Sequence, residues 1–148
     1  MPQNIGHSDN RLAFEDANFM WCDEMGAFRL ASEFMKADLA FEDQKICSTV
    51  VVFGSARMTA AQKAAPACLD CPGYLGAARD LAHQIGSYSN ALFEKSGHVS
   101  RDFVICTGGG GGIMQAANQG ASEAGAPSIG LNISLPREQK PNPYVSDN

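Results

Sequence analysis

Apolar residues change their spacing several times along the chain, and these changes predict an alternation of helices and short strands. Between residues 11 and 46 they recur every three or four positions, as in an amphipathic helix, with an interruption near Gly26. We therefore predict a helical extension, residues 1–46, that packs on the core or on a neighbouring subunit. A separate functional arm is the alternative for this stretch.

Three short apolar runs, at residues 50–53, 103–106 and 128–135, predict buried strands that end at glycine or proline. Helical spacing at residues 77–95 and 113–124 predicts a helix after each of the first two strands, the second stopping at Gly125. The connection over residues 58–76 is rich in alanine, proline and glycine, and we expect no long helix there.

The order helix, strand, helix, strand, helix, strand predicts an α/β fold. We expect a Rossmann-like doubly wound parallel sheet with right-handed connections, incomplete in this chain, behind the helical extension. Residues 47–148 are then the N-terminal part of a nucleotide-binding domain. In such folds ligands bind beyond the carboxyl ends of the strands.

Composition removes several classes of function. Hydrophobic residues at 45% and charged residues at 18% are typical of a globular protein, and no apolar run is long enough to predict a membrane span. The net charge of −5, with scattered basic residues, argues against a nucleic-acid partner. The polar, then acidic, start of the chain favours a cytoplasmic location over secretion.

Among the five cysteines, Cys68 and Cys71 form a CxxC motif. A zinc site would need a second pair of ligands, and the three histidines are not paired. A thioredoxin-like site would start a helix directly after a strand, whereas this motif lies in the predicted connection. Coincidental spacing is the favoured interpretation, with redox or metal chemistry as the alternative. We predict no metal and no cofactor.

The strongest candidate for chemistry is TGGGGGIMQAAN, residues 107–118, where five glycines separate a predicted strand from a predicted helix. Backbone N–H groups without side chains, at the positive end of a helix dipole, suit phosphate or ribose oxygens. The dinucleotide pattern G-x-G-x-x-G fails at Ile113, and no Gly-Lys-Ser/Thr follows. Close packing of helix on strand is the alternative reason for the glycines. Gly54, Ser55 and Arg57 follow the first strand and would line the same crevice if the two strands are neighbours.

Three stretches carry a family resemblance: FGSAR at 53–57, TGGGGGIMQAANQGA at 107–121 and GLNISLPREQKPN at 130–142. In this order they resemble the LOG ("Lonely Guy") family of Rossmann-like nucleotide hydrolases, often labelled lysine decarboxylases. The central stretch of that family typically reads GGGPGIMEAANRGA. Here Gly111, Gln115 and Gln119 replace the family's proline, glutamate and arginine.

The resemblance implies hydrolysis of the N-glycosidic bond of a nucleoside 5′-monophosphate, AMP or a cytokinin riboside monophosphate, to free base and ribose 5-phosphate. It implies a homodimer without a cofactor, and a nucleotide site formed by Gly54, Ser55, Gly108, Gly109, Gly110, Gly112, Met114 and Glu138. A solvated loop carboxylate is the alternative for Glu138.

The family's catalytic arginine and its PGGxGTxxE motif, which supplies the catalytic glutamate, do not occur in these 148 residues. We therefore expect this chain to be the N-terminal part of such an enzyme, with no catalytic residue of its own. A non-catalytic nucleotide- or cofactor-binding module, like the molybdenum-cofactor carrier proteins, is the second hypothesis. An interaction protein that docks through residues 11–46 is the third.

Overall fold

A computed structural model of the chain describes residues 10–58, 71–132 and 140–146. The chain divides into two compact units, Met1–Phe41 and Glu42–Asn148, which are described separately below. None of the described helices is long and apolar enough to cross a membrane.

The first unit is helical. Two 3₁₀ turns, Ala13–Glu15 and Asp23–Met25, lie on either side of helix α1, Ala17–Met20, and helix α2 begins at Gly26 and runs to Asp43. The predicted interruption at Gly26 is thus confirmed, although short turns replace a long helix before it. The Asp16 carboxylate accepts hydrogen bonds from the N–H groups of Asn18 and Phe19 and so caps α1.

The apolar side chains of the first unit do not form a core of their own. No described residue of the unit is buried. Five large apolar side chains of α2 are more than half exposed: Phe28, Leu30, Phe34, Met35 and Leu39. Arg29 fixes the start of α2, because its Nη1 donates to the carbonyl oxygens of Met20 and Cys22 at 2.7 and 2.8 Å.

The second unit is an α/β fold with an open parallel sheet. Its three strands are β1, Thr49–Val51, β2, Val104–Thr107, and β3, Ser128–Gly130, in the order β1-β2-β3. Both strand pairs are parallel, with Val51 opposite Cys106 and Cys106 opposite Ile129. The predicted alternation of helix and strand and the parallel sheet are confirmed.

Two helices follow the first two strands and pack on β2 and on each other. They are α3, Cys71–Lys95, and α4, Ile113–Glu123. The core between them and the sheet is formed by Ala82, Ile105, Ala117 and Ala121. At Gly120 the two backbones touch, since a Cβ atom there would overlap the carbonyl oxygen of Arg79. Small side chains thus allow a close helix pair.

The prediction for the connection was wrong at its C-terminal end. Helix α3 begins at Cys71, so Pro72, Gly73 and Gly76 lie inside it instead of preceding it. A proline is tolerated in the first turn of a helix because the N–H that it lacks would have no intrahelical acceptor there. Residues 59–70 lie outside the described part of the chain.

The end of α4 was predicted correctly, whereas the end of β3 was not. Helix α4 stops as expected: Gly125 has φ of 66°, and the N–H groups of Ala126 and Gly125 donate to the carbonyls of Ala121 and Ser122. Strand β3 is shorter than predicted and ends at Gly130. Leu131 still donates to Thr107, but there the chain reaches the glycine loop and leaves the ladder.

Side-chain hydrogen bonds and a cation–π contact stabilise the structure at the amino end of the sheet. Ser89 Oγ donates to the carbonyl oxygen of Asp102 at 2.6 Å. Asn90 Nδ2 donates to the carbonyl oxygen of Ala124 at 3.1 Å, at the C-terminal end of α4. The Arg101 guanidinium lies 3.8 Å from the centroid of the Phe93 ring, and burial lowers its pKa from the usual value.

Candidate functional site

The candidate site lies at the carboxyl ends of β1 and β2. Because these strands are neighbours, the loop that follows β1 and the glycine loop, residues 108–112, lie side by side. The N–H group of Ile113, the first residue of α4, donates to the carbonyl oxygen of Ser55 at 3.2 Å. The two loops are therefore adjacent, as expected for neighbouring strands.

Close packing explains two of the glycines at this site, and backbone conformation explains a third. A Cβ atom on Gly112 would overlap the carbonyl oxygen of Ser55, and one on Gly54 would overlap the Ile113 side chain. Gly109 has φ of 72° and lies against the backbone of Gly130. Close packing, the alternative reason for the glycines, thus applies to Gly54 and Gly112, whereas the positive φ accounts for Gly109.

Close packing does not explain Gly108. Among the described residues, a Cβ atom there would meet only the Sδ atom of Met114, at 3.2 Å. A methionine side chain is flexible and yields to such a contact. Gly111 is intermediate, because a Cβ atom there would lie 3.2 Å from the carbonyl oxygen of Ala56. Packing within the described part of the chain therefore does not account for the absence of a side chain at Gly108.

The glycine loop presents unused hydrogen-bond donors. In the described part of the chain the N–H groups of Gly108, Gly110, Gly111 and Gly112 donate to no acceptor, whereas that of Gly109 donates to Thr107 Oγ1 at 2.9 Å. These groups precede the first turn of the eleven-residue helix α4, whose dipole adds positive potential at this end. The arrangement suits an anionic or oxygen-rich ligand.

A buried polar network lies beneath the loop. Asn118, on α4, is fully buried, and its Oδ1 accepts a hydrogen bond from Thr107 Oγ1 at 2.7 Å. Its Nδ2 donates to Ser128 Oγ at 3.0 Å, which links the last residue of β2 to the first residue of β3. Every buried side-chain polar atom in the described residues has a partner. The network therefore joins α4, β2 and β3 without an unsatisfied group.

Asn142 extends this network onto the loop itself. Its Nδ2 lies 3.1 Å from the carbonyl oxygen of Gly109, 3.0 Å from that of Gly110 and 3.0 Å from Asn118 Oδ1. Its backbone N–H donates to the Gly109 carbonyl at 2.7 Å. The segment of residues 140–146 thus lies directly against the glycine loop.

The structure brings most of the predicted nucleotide-binding residues together. Gly54, Ser55, Gly108, Gly109, Gly110, Gly112 and Met114 all lie on the two adjoining loops or in the first turn of α4. Ser55 is exposed, and its Oγ accepts a hydrogen bond from the N–H group of Arg57 at 3.2 Å. Arg57 is exposed on the same loop. Glu138 lies outside the described residues, so its predicted role stays a prediction.

The glycine loop contains no titratable side chain. The cysteine nearest to it in sequence, Cys106, is not in a reactive environment. Cys106 is buried in β2, and burial raises the pKa of its thiol. Cys68 lies outside the described residues, while Cys71 is the first residue of α3. Across residues 10–58, 71–132 and 140–146, no three His, Cys, Asp or Glu residues are placed to hold a metal ion.

Asn118 and Asn142 were not among the residues predicted from the sequence. A signal existed for the first of these residues, because Asn118 falls on the same helix face as Ala117 and Ala121, where an isolated polar residue indicates a buried hydrogen-bonding role. Asn142 gave no such signal, since its partners are backbone carbonyls more than thirty residues away in sequence.

The chain was compared with models of known protein families and with curated proteins. Neither comparison finds a match.

Proposed function

We propose that residues 54–57 and 108–114 form the nucleotide-binding part of a phosphoribohydrolase. In the complete protein this enzyme would hydrolyse the N-glycosidic bond of a nucleoside 5′-monophosphate, AMP or a cytokinin riboside monophosphate. The observation that carries the proposal is Gly108, a glycine that packing does not require, in a loop with four unused N–H donors. The resemblance to the LOG family supplies the substrate class and the reaction.

The proposed division of labour follows from the types of group present. Backbone N–H groups bind phosphate or ribose oxygens without competing side-chain charges, and the exposed Arg57 adds a cation on the adjoining loop. Cleavage of the glycosidic bond requires stabilisation of an oxocarbenium-like transition state by a carboxylate. The family's glutamate for that step is not in this sequence, so we assign binding and not catalysis to these residues.

The fold supports the proposal at a coarser level. Ligands of open parallel α/β sheets bind beyond the carboxyl ends of the strands, which is where the glycine loop lies. We propose that the three strands belong to a Rossmann-like doubly wound sheet and that the complete protein is a homodimer, as the resemblance implies. The net charge of −5 disfavours unspecific attraction of a nucleotide, so measurable affinity would report a built site.

The test is AMP binding by isothermal titration calorimetry, with two matched glycine variants. Gly108→Ala places a methyl group where the ligand is proposed to approach, and we expect affinity to fall at least tenfold with little change in stability. Gly76→Ala is the control: it lies in α3, and a Cβ atom there meets nothing within 4 Å. It should leave affinity unchanged.

The outcomes separate the hypotheses. A wild-type chain that binds no AMP at millimolar concentration, or a Gly108→Ala variant that binds as tightly as wild type, contradicts the proposal. Binding by this chain, followed by adenine release in a longer protein that also carries PGGxGTxxE, supports the hydrolase. Binding with lasting retention and no turnover in that longer protein favours the non-catalytic module.

A further inference from the structure

We propose that Asn142 is a positioning residue that sets the direction of the Gly110 and Gly111 N–H groups in the glycine loop. The inference rests on the proposed function, because these are among the groups proposed to meet the nucleotide. It assigns Asn142 a role in ligand binding without a contact to the ligand.

The Asn142 side chain makes several hydrogen bonds to the glycine loop at once. Asn142 Nδ2 has three acceptors within 3.1 Å, two of them the consecutive carbonyl oxygens of Gly109 and Gly110. The residue is 9% exposed, so water does not compete effectively for these carbonyls. An amide has two hydrogens, and they are shared among these three oxygens.

The planarity of the peptide bond links the held carbonyls to the direction of the next N–H groups. The carbonyl of Gly109 and the N–H of Gly110 belong to one rigid trans peptide unit and point in opposite directions. The same holds for the carbonyl of Gly110 and the N–H of Gly111. Because Asn142 holds both carbonyls, both N–H groups point away from it, and in the described residues neither has an acceptor.

The orientation of the Asn142 amide is itself fixed. Its Oδ1 accepts a hydrogen bond from the N–H group of Tyr144 at 3.1 Å, which leaves Nδ2 to face the loop. On the other side, Asn118 presents Oδ1 to Asn142, since its own Nδ2 donates to Ser128 Oγ. Each amide therefore has one arrangement that satisfies all its partners.

A loop of consecutive glycines needs a restraint of this kind if it is to be ordered before the ligand binds. Glycine has the widest conformational freedom of any residue, and five in succession would sample many loop conformations. Ordering such a loop on binding costs conformational entropy, and this cost weakens the affinity for the ligand. Holding two consecutive peptide units in advance reduces this loss. Asn142 thus compensates for the flexibility that the absence of side chains brings.

The experiment compares Asn142→Ala with Asn90→Ala. Both changes remove a side-chain amide that donates to backbone carbonyls, but Asn90 binds Ala124 at the opposite end of α4. In ligand-free protein, we expect the ¹⁵N order parameter of Gly111 to fall from about 0.85 to below about 0.6 in Asn142→Ala alone. That of Gly110 should fall less, because the backbone N–H of residue 142 still donates to the Gly109 carbonyl in this variant. AMP affinity should fall at least tenfold in this variant and less than twofold in Asn90→Ala.

Asn142→Asp provides a second, pH-dependent test in case the alanine variant does not fold. A protonated carboxyl donates one hydrogen bond to the loop, whereas the carboxylate faces three oxygens and repels them. The folded state therefore favours the protonated form, and the benefit is present at low pH and lost as pH rises. The ratio of variant to wild-type affinity should increase as pH is lowered, and using this ratio cancels the titration of AMP itself.

The two proposals fail in different ways. If wild type binds no AMP, the proposed function fails, while the order parameters still test the positioning role. If wild type binds AMP but Asn142→Ala retains wild-type order parameters and affinity, the positioning role is overturned and the binding site stands. An affinity ratio for Asn142→Asp that does not change with pH would also count against the positioning role.

Discussion

The carbonyl oxygen of Ser55 lies where a Cβ atom on Gly112 would be, so the loop after β1 and the glycine loop meet backbone to backbone. Gly112 also has φ of 62° and ψ of −127°, a conformation that only glycine adopts without strain. Two independent restrictions therefore apply to this one position. Neither restriction applies to Gly108, four residues earlier.

Gly112→Ala should destabilise the protein by about 2 kcal/mol or more, because the methyl group collides with Ser55 and the backbone is strained. Gly108→Ala should change the free energy of unfolding by less than about 1 kcal/mol, since only the flexible Met114 side chain is in the way. Urea unfolding of both variants measures the difference. Equal midpoints would show that the glycine loop is not packed as described.

Thr107 and Asn118 should behave as a coupled pair. Asn118→Ala leaves the Thr107 hydroxyl without its buried acceptor and removes one of the three acceptors of the Asn142 amide, and we expect a loss of about 3 kcal/mol. Thr107→Val removes the hydroxyl at constant shape and should cost about 2 kcal/mol. The double variant should be less destabilised than the sum of the two by about 1 kcal/mol. A double-mutant cycle in urea tests this, and strict additivity would argue against a shared network.

The ion pair between α3 and α4 should give a pH-dependent contribution. Arg79 donates two hydrogen bonds of 2.7 Å to the Glu123 carboxylate and holds the pKa of that group below its usual 4.5. The contribution is thus fully present above pH 4.5 and is lost as pH falls through the lowered pKa.

Glu123→Gln is the variant that reveals this contribution. Its thermal midpoint should lie slightly below that of wild type at pH 7, and the difference should shrink towards zero as the solution is acidified. Both groups are exposed, so the effect is expected to be small and to weaken with added salt. A difference that stayed constant with pH would mean that the pair contributes through packing and not through charge.

Cys47 and Cys106 should differ in reactivity. Cys47 is exposed, whereas Cys106 is 4% exposed and burial raises the pKa of its thiol, which lowers the fraction of reactive thiolate. Alkylation by iodoacetamide at pH 8, followed by peptide mass spectrometry, should label Cys47 at least about tenfold faster. The rates should become similar in 8 M urea. Similar rates in the folded protein would indicate that β2 is accessible.

Local sequence signals predicted those parts of the fold that depend on local physics. Gly125 ends α4 because a left-handed residue satisfies the last helix carbonyls, and that requirement is visible in the sequence. The strand around Ile105 was recognised because a short β-branched run between helical patterns has few alternatives. The parallel order followed from the alternation of helices and strands.

Tertiary contacts decided the remaining features. Helix α3 begins before Gly73 and Gly76, where composition favoured a loop. Both glycines are exposed, so their weak helix propensity is outweighed by the packing of the rest of this helix on α4 and β2. The candidate loop was found from its glycines, but the sequence did not separate Gly112, required by packing, from Gly108, which is not. Asn142 was missed because it acts on carbonyls brought near by the fold.

The contact between Gly120 and the Arg79 carbonyl also has a mechanical consequence. Where two helices touch through their backbones, no layer of side chains can rearrange to absorb a small displacement. Movement of α4 along its axis, for instance when a ligand draws on its N-terminal end, must carry α3 with it. The turn after Lys95, which ends α3 at the amino end of the sheet, would then move with the glycine loop at the carboxyl end.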